Sequence, residues 1–132
     1  MTRALSLTAA VVLATLVAAA APAALAHHGC HTRKCNERVA AKRCSQTRVL
    51  PCIERAALRW RVSYRMLKRK SWCESRHNPW ARNGVHIGLF QFNPGTFATT
   101  PYASRDPWRA KWNALAAGWM HHVGRGNEWV CA

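Results

Sequence analysis

One glutamate near the middle of the chain has the surroundings that acid–base chemistry requires. Residues 72–75 (WCES) contain Glu74, and residues 88–94 (GLFQFNP) form a Gly-opened segment that carries the amide of Gln91. No Asp or Glu occurs between Ser75 and Arg105, so any chemistry of this central segment that requires a carboxylate must use Glu74. A positioned carboxyl group that stays protonated near neutral pH can act as a general acid.

Cleavage of a glycosidic bond is a reaction that suits one such acid. Its transition state resembles an oxocarbenium ion, and the leaving oxygen must receive a proton. Hydrolysis normally also needs a second carboxylate, about 5 to 9.5 Å from the first. The other acidic residues lie outside the loop region expected to form a sugar cleft: Glu37, Glu54, Asp106 and Glu128. This shortage favours a reaction in which the substrate supplies its own nucleophile.

Glu74 is predicted to lie at the C-terminal end of a helix that begins near Ser63 and runs to Cys73. The negative end of the helix dipole and an aromatic-rich neighbourhood both disfavour ionisation, so we expect the pKa of the Glu74 carboxyl to be raised. The following segment, residues 78–101, contains six glycines and prolines. It predicts loops with at most short turns of helix or strand.

Two further helices are predicted from the spacing of apolar residues. Pro51 opens a segment with apolar side chains at i, i+3, i+4 and i+7. Asp106 and Pro107 predict a cap and a first-turn proline for a last helix that Gly124 ends. Most tryptophans fit helix faces and are expected in the core: Trp60, Trp72, Trp108, Trp112 and Trp119. Trp80 and Phe92, in the cleft-forming loops, are the better candidates for contacts with a sugar.

The chain begins with a predicted export signal over residues 1–26. Arg3 supplies a positive charge, an almost wholly apolar stretch follows, and Ala24-Leu25-Ala26 fits a peptidase site. An uncleaved membrane anchor is the alternative, but Pro22 and the small-residue ending favour cleavage. Residues 27–50 are predicted to form a basic, Cys-containing arm without a core of its own. Residues 51–132 are predicted to form one small domain.

Six cysteines are expected to staple the mature chain: Cys30, Cys35, Cys44, Cys52, Cys73 and Cys131. An even number in a short exported protein indicates disulfides, although six cysteines allow 15 pairings. Zinc binding is the alternative use, but the sequence has no Cys-x-x-Cys pair, and we expect neither a metal nor a cofactor. The domain layout predicts that Cys73 pairs with Cys131 and that the other four pair among themselves.

The charge of the chain predicts binding to polyanions. The sequence has 20 Lys and Arg against 5 Asp and Glu, a formal net charge of +15. Anionic wall polymers, membrane surfaces and nucleic acid are all candidate partners, and charge alone does not choose between them. A run of basic residues before Glu74 is either a patch for wall polymers or a solvated helix face: Arg65, Lys68, Arg69 and Lys70.

From Ile53 to Cys131 the chain resembles the transglycosylase domain of the lysozyme superfamily, especially the small actinobacterial-type versions related to resuscitation-promoting factors. The family's motifs occur here in the right order: Glu74-Ser75, Asn78-Pro79 with Ala81, Gly88-Leu89-Phe90-Gln91, Pro94 and Thr96, followed by Asn113-Ala114 where the family has Asn-Ile. One family element, Ala-Tyr-Asn near the end of the domain, has no counterpart, since no tyrosine follows Tyr102. The resemblance implies a mainly α, lysozyme-like (α+β) fold with a loop-rich cleft.

The resemblance also implies an activity. Glu74 would cleave the bond between N-acetylmuramic acid and N-acetylglucosamine in peptidoglycan, leaving a 1,6-anhydro end. Ser75 and Gln91 would hydrogen-bond the substrate, and Gly88 with the backbone of Leu89 and Phe90 would line the cleft.

The expected protein is therefore a secreted, wall-associated lytic transglycosylase, monomeric, with peptidoglycan and anionic wall polymers as partners. We expect no specific nucleic-acid binding and no stable membrane insertion after signal cleavage. A muramidase of the same fold is the alternative enzyme. A cationic wall-binding protein without turnover is the alternative outside enzymes, and intact Glu74, Ser75 and Gln91 argue against it.

Overall fold

A computed structural model describes residues 30–131, and the predicted export signal lies outside them. The described part is mainly helical and carries three disulfides. Its longer helices are α1 (Arg33–Arg43), α2 (Val49–Trp60), α3 (Tyr64–Ser75) and α5 (Ala110–His122). Between the last two lie a hairpin of β1 (Arg82–Asn83) and β2 (His86–Ile87) and the short helix α4 (Pro94–Ala98). A 3₁₀ turn, Gly126–Glu128, follows α5. Within residues 30–131, no helix is long and apolar enough to cross a membrane.

The core forms where α2 packs against α5. Ile53 and Ala56 of α2 are fully buried, as are Ala114 and Ala117 of α5. The small residues let the two helices approach closely. Gly118 marks a point of close approach, because a Cβ there would come within 3.1 Å of the backbone oxygen of Ala56.

The basic arm contains a helix that contacts α2. Its residues form α1, which begins at the N-cap Thr32 and packs on α2. Arg33 donates a 2.6 Å hydrogen bond to the carbonyl of Leu58, and Glu37 lies 3.9 Å from the guanidinium of Arg59. Ala40 is buried. A buried alanine, polar contacts and the Cys44–Cys52 disulfide, which joins the end of α1 to α2, therefore hold this helix, which has no large buried apolar side chain of its own.

The disulfides follow the partition predicted from the domain layout. Cys30 is bonded to Cys35, Cys44 to Cys52 and Cys73 to Cys131. The last bond closes a long loop and joins the C-terminal tail to α3.

The predicted helices exist, with shifted ends. The last helix begins at Ala110, later than Pro107, because Asp106 accepts a hydrogen bond from the backbone of Trp108 and forms a turn before the helix. The helix start is instead capped by Gln46, whose side-chain oxygen accepts from the backbone N–H of Ala110 at 2.9 Å. Trp72 is not a core residue: half of its surface is exposed, since it lies on the outer face of α3.

A candidate active-site cleft

A cleft of about 280 Å³ opens between the C-terminal end of α3, the hairpin, the 88–93 loop and the chain terminus. Three of the predicted site residues line it: Glu74, Gln91 and Phe92. Further lining residues are polar, aromatic or apolar side chains from the hairpin, α4, α5 and the tail: Asn83, His86, Asn93, Thr96, Met120, Glu128, Trp129, Val130 and Cys131. The cleft thus offers one helix-borne carboxyl group surrounded by hydrogen-bonding and aromatic side chains.

Glu74 lies in the last turn of α3, as predicted, and its carboxyl is partly buried. Burial raises the pKa of Glu74 above its ordinary value. A hydrogen bond from the Cys131 backbone and the charges of Lys70 and His86 act in the opposite direction, but burial dominates. A carboxyl group that has a raised pKa and is accessible from the cleft is suited to proton donation.

Gln91 is held with its amide fixed. Its backbone has a φ of 49°, a left-handed conformation that non-glycine residues seldom adopt. Its side-chain nitrogen donates to the carbonyls of Gly88 at 2.8 Å and Ala81 at 3.0 Å. The side-chain oxygen has no hydrogen-bond partner among residues 30–131, so it is available to a molecule in the cleft. Gln91 therefore stabilises its own loop and can still offer an acceptor to a ligand.

Asn113 fixes the other end of this loop from beneath. It is fully buried in α5, where its side-chain oxygen accepts from the backbone N–H of Phe90 at 2.7 Å and its nitrogen donates to the carbonyl of Pro107 at 2.8 Å. Gly88 passes directly over this amide with a φ of 78°. A Cβ at Gly88 would collide with the Asn113 side chain, which explains the glycine.

The other predicted site residues do not line the cleft. Ser75 is buried, and its hydroxyl donates a 2.7 Å hydrogen bond to the carbonyl of Leu89, so it joins α3 to the loop. Gly88, Leu89 and Phe90 are also buried, the last two because their side chains belong to the hydrophobic core. Trp80 is 59% exposed and lies outside the cleft. Phe92 lines the cleft but is 1% exposed, so it contributes to the floor and offers no stacking platform.

The C-terminal tail forms one wall of the cleft, which sequence reasoning missed. Trp129 donates a 2.6 Å hydrogen bond from its indole Nε1 to the carbonyl of Phe90. Its ring stacks on His121 with centroids 5.6 Å apart, and the ammonium of Lys70 lies 5.5 Å from its centroid. Lys70 is only 6% exposed and donates to the carbonyl of Gly126 at 3.0 Å. Lys70 is therefore part of the support for the tail and not of a surface patch.

Glu128 lies in the same cleft as Glu74, and this corrects the expectation that no other acid would reach it. The tail brings it there by folding back over the helices. Arg125 forms a two-pronged ion pair with Glu128, in which its Nη2 lies 3.2 Å from Oε2 while its Nε contacts Oε1. Both carboxylate oxygens of Glu128 thus accept hydrogen bonds from a guanidinium. The prediction of a disulfide between Cys131 and Cys73 was the signal that could have placed Glu128 beside Glu74.

No protein-family model, curated protein or solved structure matches this chain. Within residues 30–131, no three His, Cys, Asp or Glu side chains lie together so that they could hold a metal ion. The chemistry proposed below therefore depends on the geometry of the cleft and on the motifs of the sequence.

Proposed function

We propose that this chain is a secreted enzyme that cleaves peptidoglycan as a lytic transglycosylase, with a lysozyme-like fold. The observation that carries the proposal is Glu74, a carboxyl group with a raised pKa at the end of a helix, facing an open cleft. Several of the motif residues that resemble the family line this cleft or support its loop. Glu74 lines it, while Ser75, Asn113 and the 88–91 segment hold its loop in place.

In the proposed reaction Glu74 acts twice. Its protonated carboxyl first gives a proton to the glycosidic oxygen, so that the bond to the N-acetylglucosamine leaving group breaks at the anomeric carbon of N-acetylmuramic acid. The resulting carboxylate then takes the proton from the 6-hydroxyl of the same muramic acid. That hydroxyl oxygen forms the new bond to the anomeric carbon. No water is consumed, and Glu74 ends the cycle protonated.

The ion pair of Glu128 favours transglycosylation over hydrolysis. Arg125 donates hydrogen bonds to both oxygens of Glu128. Each oxygen keeps a further lone-pair site, but the guanidinium competes with a water molecule or an anomeric carbon for this carboxylate. A muramidase is the second candidate function, since Glu128 is the one other carboxylate of the described chain that lines the cleft.

Three disulfides in so small a domain support secretion, because such bonds persist in oxidising compartments.

Exchange of Glu74 for glutamine tests the proposal. The amide keeps the shape of the side chain but cannot donate the proton, and general acid–base catalysis is typically worth about 10² to 10⁴-fold. We expect Glu74→Gln to fold normally, bind cell walls and lose clearing of a wall suspension. Glu54→Gln, a change of the same type on α2, is the matched control and should remain active. Activity of Glu74→Gln above half that of the wild type would refute the assignment.

A further inference from the structure

The outer face of α3 carries a second cluster of residues that the proposed reaction does not use. Five positions share one side of the helix and its C-cap at spacings of i, i+3, i+4, i+7 and i+11: Arg65, Lys68, Arg69, Trp72 and Arg76. Glu74 follows Trp72 by two positions and therefore points roughly 200° away around the helix. The cluster and the cleft thus lie on opposite sides of α3.

An exposed indole is the centre of this cluster. Trp72 is 50% exposed, although large aromatic side chains are normally covered. The guanidinium of Arg76 lies 5.1 Å from the centroid of its ring, and the ring of His77 lies 5.3 Å away. Trp72 and His77 line a shallow depression together with three cationic side chains, those of Arg65, Lys68 and Arg69. No acidic side chain lines this depression.

The cations of this face have no acidic partners in the described part of the chain. The salt bridges of residues 30–131 involve Arg59, Arg109 and Arg125. The charges on α3 are therefore available to an anion from outside. They extend from Arg65 to Arg76, which is roughly 16 Å along a helix at 1.5 Å per residue. A row of that length matches several successive charges of a linear polymer and exceeds the reach of one compact anion.

We infer that the outer face of α3, built on Trp72, Arg65, Lys68, Arg69 and Arg76, binds a linear phosphodiester polymer of sugars or polyols. The cations pair with successive phosphates, and Trp72 packs against the apolar side of a sugar or polyol unit. Single-stranded nucleic acid is disfavoured because its bases stack on successive aromatic side chains, whereas this face exposes one large aromatic ring. A membrane surface is disfavoured because one indole among charged side chains buries little apolar area.

This inference does not depend on the activity of Glu74, because the two surfaces are separate. Binding by α3 would persist in a protein that cleaves no glycan. Conversely, loss of the α3 surface should leave cleavage of short, uncharged glycan fragments unchanged.

The test measures binding of the purified protein to soluble poly(glycerol phosphate) at several salt concentrations. Two variants remove the surface: Trp72→Ala, and the triple exchange Arg65→Gln, Lys68→Gln and Arg69→Gln. The matched control removes three exposed positive charges from α1, in the triple exchange Lys34→Gln, Arg38→Gln and Lys42→Gln. Both triple variants carry the same net charge, so a difference between them reports position. Thermal unfolding shows that each variant folds.

We expect the α3 triple variant to bind roughly tenfold or more weakly. The slope of log K against log salt concentration should become shallower by about 2, as the loss of three phosphate contacts implies for a flexible polyanion. Trp72→Ala should weaken binding while leaving the salt slope unchanged. Equal losses in the α1 and α3 triple variants would overturn the inference, because binding would then follow net charge. Tighter binding to an oligothymidylate or to phosphatidylglycerol vesicles than to poly(glycerol phosphate) would also overturn it, by assigning the face to nucleic acid or to a membrane.

Discussion

Cys131 is bonded to Cys73, the residue directly before Glu74 in α3. The bond holds the tail so that Trp129 reaches the carbonyl of Phe90 and Glu128 reaches the cleft. One wall of the candidate active site is therefore attached covalently to the helix that carries the proposed acid. Removal of the disulfide between Cys73 and Cys131 should therefore affect catalysis and stability together.

Replacement of both Cys73 and Cys131 by alanine tests this coupling. The bond spans 58 residues, and closing a loop of that length is worth about 4 kcal/mol in the chain-entropy description. We expect a large fall in the melting temperature and loss of wall cleavage, measured at a temperature where the variant is still folded. Replacement of Cys30 and Cys35 is the control, since that bond lies far along the chain from the cleft. Full activity in the folded Cys73/Cys131 variant would show that the tail is not part of the site.

Glu128→Gln separates the two candidate reactions. If the substrate supplies its own nucleophile, this variant should keep most of its activity and still release anhydro ends, measured by mass analysis of the fragments. Arg125→Gln is the companion variant, because it frees the Glu128 carboxylate without removing it. If Glu128→Gln lost as much cleavage activity as Glu74→Gln, Glu128 would instead be identified as the second carboxylate of a hydrolase.

Lys70 is predicted to tune the pH dependence of cleavage. Burial raises the pKa of Glu74, and the nearby charge of Lys70 lowers it in part. Glu74 must be protonated to act as an acid, so the rate should fall as the pH rises through its pKa. Lys70→Met removes the opposing charge, and we expect the alkaline limb of the kcat/KM profile to move to higher pH. Lys68→Met, on the outer face of α3, should leave the alkaline limb of the profile at the same pH. A shift of the same size in Lys68→Met would show that the pH profile follows the net charge of the protein.

His121 is predicted to make the protein less stable in mild acid. Its ring is half-buried against Trp129, and burial, followed by the charge of Lys70, lowers its pKa from 6.5 to about 4. Between these values the unfolded chain binds the proton more readily, so stability should fall as the pH drops from about 6.5 and level off near 4. His121→Phe keeps a ring for stacking and removes the titration.

Melting temperatures of the wild type, His121→Phe and His122→Phe, measured between pH 7 and 4, check this expectation. The wild type should lose stability over the window, and His121→Phe should lose clearly less. His122→Phe, a change at the exposed neighbouring residue, should behave like the wild type. A wild-type slope that His121→Phe leaves unchanged would assign the acid sensitivity to other groups.

The sequence predicted those parts of the structure that depend on local pattern. The helical spacing from Ile53 to Trp60 and the position of Glu74 in the last turn of α3 were both confirmed. Local pattern was less reliable for the arm. Its composition hides α1 because this helix is held by a buried alanine, a guanidinium-to-carbonyl bond, a long ion pair and the Cys44–Cys52 disulfide, and not by large apolar side chains.

The candidate site was only partly predictable, because most of its wall comes from residues that are distant in the chain. Gln91 and Glu74 were found from their loop and helix, but Ser75 turned out to join backbone elements beneath the cleft. Trp129 and Glu128 could not be placed from periodicity, since a tail whose only regular structure is one 3₁₀ turn takes its position from a disulfide and from one indole hydrogen bond. Long-range contacts of that kind leave little trace in local sequence pattern.

Mass analysis of the fragments that the purified protein releases from peptidoglycan tests the central claim most directly. We expect fragments that end in 1,6-anhydro-N-acetylmuramic acid, produced by the wild type and by Glu54→Gln but not by Glu74→Gln. Fragments with reducing muramic acid ends would contradict transglycosylation and favour the muramidase. Absence of any fragments from the folded wild-type protein would contradict the proposed enzyme altogether.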